Sequence, residues 1–256
     1  MAALECIQFP YGSDNYGVLV HDKDTGQSAC IDAGDAQAAL STLSTQGWTL
    51  SHLLITHHHG DHTAGLMDIK KATGCTVVGP DALSAPITGI DKHVSDNSEF
   101  EFANRTVKVL HTPGHTTDMM NFYFAEDNLV FTGDTLFSMG CGRLFEGDAA
   151  MMLNSINKLK ALPDNTMVYC AHEYTATNAR FALDVDPDNS ALKTRATEVT
   201  SLRNDGKATV PSLLGLERQT NPFLRTDNPD LAASLSMSGA DEVAIFAELR
   251  ERRNQY

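Results

Sequence analysis

The sequence predicts an α+β protein with a mixed first part and a helical last part. Three observations point there. Residues 1–173 alternate short β-like runs with helix-like segments, β-like runs cease from Tyr174 onward, and the apolar share of 42% with few aromatics suits an ordinary soluble globular chain. The length of 256 residues allows one large domain, or a medium domain plus a small one.

In chain order, the apolar or alternating runs 17–20, 29–32, 53–56, 76–79, 107–111, 121–124, 129–132 and 167–171 read as strands. Segments 37–46, 62–73 and 149–162 read as helices. Beyond them, 178–183, 190–204 and 241–253 read as helices broken by Pro187, Pro211, Pro222 and Pro229. The expected boundary lies near residue 174, giving domains 1–173 and 174–256. No internal repeat or low-complexity tract is visible.

Chemistry concentrates at strand ends. The run Thr56-His57-His58-His59-Gly60-Asp61-His62 packs four histidines and a carboxylate into a few residues. Imidazole and carboxylate are the donors that hold zinc and similar borderline metals. Residues two apart in extended chain point the same way, so His57 and His59 can grip one metal while His58 points away. Asp61 and His62 follow a Gly turn and can face a second metal. The alternative is a solvent-exposed His-rich loop. His115, Asp134, His172 and Asp32 also sit at or just after strand ends. Each alone also fits a satisfied polar residue at a strand end, but their recurrence favours one ligand-rich sheet edge. His21, His52 and His93 lie outside the pattern and are expected at the surface or boundary.

Five single cysteines without a pairing rhythm suggest reduced thiols; Cys30 and Cys170 read as core residues and Cys141 as a packing residue in a tight loop. The net charge of −14 argues against nucleic acid as the main partner. Residues 1–173 carry 9 basic and 21 acidic side chains, residues 174–256 carry 10 and 12, and Arg250, Arg252 and Arg253 form a basic cluster near the end. That cluster reads either as a solvated helix face with Glu–Arg pairs or as a clamp for a small anion. No run of eighteen apolar residues is present, and the start lacks the pattern of a secretory or transit peptide. The expectation is a cytoplasmic protein, with no membrane or nucleic-acid partner.

These motifs resemble the metallo-β-lactamase superfamily, and within it glyoxalase II, the hydroxyacylglutathione hydrolases. The resemblance rests on His57-x-His59-x-Asp61-His62, Thr112-Pro113-Gly114-His115-Thr116, Phe131-Thr132-Gly133-Asp134-Thr135-Leu136-Phe137, Gly140-Cys141-Gly142-Arg143, His172-Glu173-Tyr174-Thr175 and Asn221-Pro222-Phe223-Leu224-Arg225. It implies an αββα sandwich, two mixed sheets flanked by helices, with a small α-helical C-terminal domain that binds glutathione. It assigns His57, His59 and His115 to one metal, Asp61, His62 and His172 to a second, and Asp134 as a bridge. The implied cofactors are two divalent metal ions, zinc first, with iron or manganese as alternatives. Three protein ligands and a bridge leave each metal open, as catalytic sites require. The implied reaction is attack of a metal-bridging hydroxide, positioned by Asp61 and Asp134, on a glutathione thioester. Asp32 and His58 are expected behind the ligands. Arg143, Tyr174, Arg250 and Arg253 are expected to hold glutathione, with Arg252 the alternative to Arg253, and Phe145 stands where some relatives have Tyr. The substrate implied is an S-(2-hydroxyacyl)glutathione, chiefly S-D-lactoylglutathione, hydrolysed by a monomer. The competing readings are another glutathione-adduct hydrolase, a persulfide dioxygenase, or a non-catalytic metal-binding module.

Overall fold

The computed structural model describes residues 3–81 and 85–256. The chain divides into two compact units, Met1–His111 with Thr116–Gly133, and Thr112–His115 with Asp134–Tyr256.

The first unit runs β1 (Glu5–Tyr11), β2 (Asn15–His21), β3 (Gln27–Ile31), α1 (Ala36–Gln46), β4 (Thr49–Leu54), α2 (Gly60–Thr63), α3 (Leu66–Thr73), β5 (Thr76–Pro80), β6 (Lys92–Val94), β7 (Glu99–Phe102), β8 (Arg105–His111), β9 (Met120–Phe124) and β10 (Leu129–Gly133). Strands β1 to β6 form one sheet in sequence order. Its first three strands pair antiparallel, while β3, β4, β5 and β6 pair parallel. In that parallel set Ile31 lies opposite Leu54, so the carboxyl ends of β3 and β4 deliver Asp32 and the His57 run side by side. Crevices outside the carboxyl ends of parallel strands are where open α/β sheets bind ligands. Strands β7 to β10 form an antiparallel series in that order.

Burial explains the patterns. Strand β7 alternates exposed and buried along Glu99-Phe100-Glu101-Phe102, a half-buried strand with period two. Strand β9 is buried at every position. Helices α1 and α3 lay Ala39, Leu43, Leu66 and Ile69 onto Leu19, Cys30, Leu53 and Val77 of the six-stranded sheet. Asp35 caps α1 by accepting from the Ala38 amide at 2.9 Å. The expected helix over 62–73 is two helices, broken at Gly65. A Cβ there would lie 2.5 Å from the Ala36 nitrogen and 2.9 Å from the Ala33 oxygen, so backbone approaches backbone and only glycine fits. His21, expected at the surface or boundary, is buried. Its ring stacks on Trp48 at 4.3 Å and its Nδ1 pairs with Ser28 Oγ at 2.9 Å.

The second unit holds β11 (Leu136–Phe137), β12 (Gly140–Cys141), α4 (Ala149–Lys160), β13 (Met167–Cys170), α5 (Thr175–Val185), α6 (Ser190–Asn204), β14 (Ser212–Leu213), α7 (Leu214–Thr220), a 3-10 turn (Pro222–Leu224), α8 (Pro229–Ser234) and α9 (Glu242–Asn254). Beyond Tyr174 it is helical except for β14, a two-residue strand on β13 that the sequence reading lacked. Pro222 and Pro229 sit at helix starts, where a missing N–H costs nothing. Met139, Ala179, Ala182, Leu192, Ala196 and Val199 form one core cluster. Fully buried Phe181, Phe223 and Phe246 form an aromatic chain, with centroids 6.1 and 5.3 Å apart.

Candidate metal centre

In the first unit the ligand run leaves β4 through buried Ile55 and Thr56. Asp32 organises it. Its Oδ1 accepts from the Thr56 amide at 2.8 Å, both its oxygens accept from Thr56 Oγ1 at 3.0 Å, and its Oδ2 lies 2.8 Å from His62 Nδ1. Asp32 adopts a left-handed backbone, φ 60°, a strained conformation for a residue with a side chain. The carboxylate consumes the Thr56 hydroxyl hydrogen, so Thr56 Oγ1 must accept from His57 Nδ1, 3.0 Å away. Both imidazoles therefore carry their proton on Nδ1 and present the Nε2 lone pair.

His57 and His62 are fully buried and their ring centroids lie 4.1 Å apart; those of His57 and His59 lie 4.7 Å apart. Asp61 Oδ2 accepts from Asn15 Nδ2 at 3.0 Å and lies 3.4 Å from His62 Nε2. The Tyr11 hydroxyl donates to the Asp61 carbonyl at 2.9 Å. His58 turns to Asp118, with Nδ1 to Oδ1 at 2.9 Å. Asn15, Tyr11 and Asp118 escaped the sequence reading. They lie 46, 50 and 60 residues from their partners, and no local signal marks them.

In the second unit His115, Asp134 and His172 are buried together. His115 Nδ1 donates to the Arg143 carbonyl at 2.8 Å, leaving the Nε2 lone pair 3.2 Å from Asp134 Oδ2. Asp134 Oδ1 lies 3.3 Å from His172 Nε2. Each oxygen of one carboxylate thus faces a different imidazole. His172 stacks on Tyr174, centroids 4.7 Å apart and planes within 3°, with Phe137 edge-on to both rings. A lone pair facing a carboxylate oxygen at about 3 Å is repulsive unless an electrophile lies between them. A proton or a divalent cation meets that need, and a set of imidazoles and carboxylates suits borderline metals.

The expected glutathione residues also meet in this unit. Arg250 is buried and its Nη1 donates to the Cys141 carbonyl at 2.8 Å and the Gly142 carbonyl at 3.4 Å. Arg253 donates through Nε to Asn178 Oδ1 at 3.1 Å. Burial first, then the charges of Arg250 and Arg143, lower its pKa. Arg143 is exposed and lies over the Phe145 ring at 5.9 Å. Exposed Phe145 sets its ring 5.2 Å from that of His115. Burial pushes the Cys141 thiol up despite Arg250 beside it, and pushes Cys170 up to about 12, so both are protonated packing residues.

Two family models match consecutive parts of the chain. Residues 15–172 match the metallo-beta-lactamase superfamily and residues 173–256 match the hydroxyacylglutathione hydrolase C-terminus. A curated hydroxyacylglutathione hydrolase of Rhizobium meliloti (strain 1021) is 48% identical over 256 residues, covering 100% of both chains. The chain belongs to the hydroxyacylglutathione hydrolase family. A second hydroxyacylglutathione hydrolase, from Brucella ovis, is 49% identical over 253 residues, covering 99% of this chain and 98% of its own. Among solved structures, ETHE1 from Myxococcus xanthus aligns over 100% of both chains with a TM-score of 0.66 at 23% identity. At that identity the likeness shows the fold alone, the two mixed sheets flanked by helices that the sequence resemblance implied. As a hydroxyacylglutathione hydrolase family member within that superfamily, the chain carries a His/Asp cluster of the kind that binds divalent metal.

Proposed function

We propose that this protein hydrolyses S-(2-hydroxyacyl)glutathione, chiefly S-D-lactoylglutathione, to glutathione and D-lactate, the second step of methylglyoxal detoxification. The observation that carries the reading is the Asp134 carboxylate with one imidazole at each oxygen, in a chain nearly half identical to curated hydroxyacylglutathione hydrolases. His57, His59 and His115 would hold one divalent ion, Asp61, His62 and His172 another, and Asp134 would bridge them. Zinc fits the donor set, as do iron and manganese. Bound divalent ions supply Lewis acidity toward the thioester carbonyl and make water nucleophilic near neutral pH.

The protein's own groups do the rest. Asn15 fixes one oxygen of Asp61, so that this carboxylate can orient the attacking water. Asp32 and Thr56 hold His62 and His57 in the tautomer that exposes Nε2. Asp118 anchors His58 beside the ligand run, which suits His58 to a supporting role. Arg143, Arg250 and Arg253 would bind the carboxylates of glutathione, for which guanidinium geometry is suited, with Tyr174 beside them. The departing thiolate has an intrinsic thiol pKa near 8.5 and needs little acid assistance. A functional boundary near residue 174 is supported by the junction of the two family models. Among the described residues no helix is long and apolar enough to cross a membrane. We read the protein as a cytoplasmic monomer acting on a small molecule.

The test is loss of the S-D-lactoylglutathione thioester absorbance with purified protein, before and after treatment with a chelator. Rapid turnover abolished by the chelator and restored by added zinc is expected. A folded, metal-loaded protein without turnover would overturn the reading, and oxygen consumption with glutathione persulfide would replace it with the dioxygenase.

A further inference from the structure

Glu217 of α7 is fully buried, and its carboxylate takes no part in the chemistry above. Four donors converge on it. Oε1 accepts from Ser138 Oγ and Ser212 Oγ, both at 2.7 Å. Oε2 accepts from the Met139 amide at 2.7 Å and Asn221 Nδ2 at 3.2 Å. Ser138 and Met139 are the two residues that join β11 to β12. Met139 adopts φ 54°, a left-handed backbone that is strained for a residue with a side chain, and its N–H is the donor that Glu217 holds.

Two amides reinforce the grip. Asn221 Nδ2 donates to the Phe137 and Gly140 carbonyls at 3.0 Å each, and Asn178 Nδ2 donates to the Ser138 carbonyl at 3.0 Å. Asn178 Oδ1 in turn accepts from Arg253. The hairpin leads straight into the proposed glutathione arm, because Cys141 and Gly142 offer the carbonyls that hold Arg250 and Arg143 follows them. A Cβ on Gly142 would lie 1.9 Å from the Asp134 oxygen, so the hairpin packs on the backbone of the proposed bridging residue.

We propose that Glu217 is a positioning residue that fixes the β11–β12 hairpin, and through it Arg143 and Arg250, for binding the glutathione part of the substrate. This inference rests on the thioester-hydrolase reading. A carboxylate suits the task because it only accepts, whereas an amide would turn an NH2 toward two of the four donors. The charge is costly to bury, and several charge-assisted hydrogen bonds offset that cost.

The experiment compares Glu217→Gln, Ser138→Ala and Ser212→Ala. Each removes hydrogen bonding at the same carboxylate, but Ser212 lies on β14, outside the hairpin. Glu217→Gln and Ser138→Ala should raise KM for S-D-lactoylglutathione about tenfold, with kcat within about twofold and metal content unchanged. Ser212→Ala should leave KM at the parent value while lowering Tm. Equal KM in Ser138→Ala and Ser212→Ala beside an active parent would overturn the proposal alone. If Glu217→Gln does not fold, the two serine variants still decide it. An inactive parent overturns the functional reading instead. Amide exchange at Met139 and Gly142, faster in Ser138→Ala than in Ser212→Ala, then decides whether Glu217 holds the hairpin.

Discussion

Asp32 shows how one side chain acts on two proposed ligands at once. It accepts hydrogen bonds from the Thr56 hydroxyl and His62 Nδ1, and through Thr56 it sets which nitrogen of His57 carries the proton. Replacing it by asparagine offers the same shape with one oxygen turned into a donor. The His62 Nδ1–H or the Thr56 hydroxyl then meets an NH2, and the ring loses its fixed tautomer. Partners of this kind typically carry 10–100-fold in metal affinity. Asp32→Asn should therefore weaken zinc binding by about that factor in competition with a chromophoric chelator, with the fold retained by circular dichroism. Unchanged affinity would show that the tautomer argument fails. Asp32 was legible in the sequence because it ends an apolar strand, as the proposed ligands do. Asn15 was not, since its link to Asp61 exists only once β2 has folded onto its sheet.

At the scale of elements, legibility followed the strength of local pattern. Helix α6 was read at its observed bounds, because Asn189 caps it and Pro187 stops what precedes it. Strand β1 carries Pro10, which a central strand would exclude; it is an edge strand, where proline is tolerated. Strand β6 is three residues long, too short to carry a period. The break at Gly65 depends on a distant backbone, which no window of sequence contains. Another long-range tie makes a pH prediction. Lys70 of α3 donates to Asp91 Oδ1 at 2.6 Å, and Asp91 Oδ2 accepts from the Val77 amide of β5 at 2.9 Å. The Lys70 hydrogen bond first, and the Val77 amide second, hold the Asp91 carboxyl below its ordinary range. A depressed folded value means that the stabilisation is complete above the unfolded value of about 3.9 and is lost as pH falls through the folded one. Asp91→Asn should lower Tm at pH 7, and the gap from the parent should shrink below about pH 4. A gap that stays constant across that range would remove Asp91 from the acid response.

For the whole molecule, charge is divided unevenly. Most of the −14 belongs to residues 1–173, yet Arg143 gathers with Arg250 and Arg253 in the second unit, where burial first, and then the charges of Arg250 and Arg143, lower the pKa of Arg253. Three guanidinium groups at that range repel one another, and burial sharpens the repulsion. An anionic ligand seated among them removes this penalty and gains charge-assisted hydrogen bonds, so free glutathione should stabilise the folded protein even without turnover. A ligand at 100 times its Kd raises stability by about 2.7 kcal/mol. Glutathione should therefore raise the Tm of the metal-loaded protein by several degrees, and the rise should shrink as salt increases, because the exposed Arg143 is screened. Arg253→Ala should abolish most of the rise, measured against the variant's own Tm without glutathione, because it removes one of the three guanidinium groups and its bond to Asn178. A rise that persists at full size in Arg253→Ala, or that is indifferent to salt, would place glutathione away from the arginines and move the anion site elsewhere on the molecule.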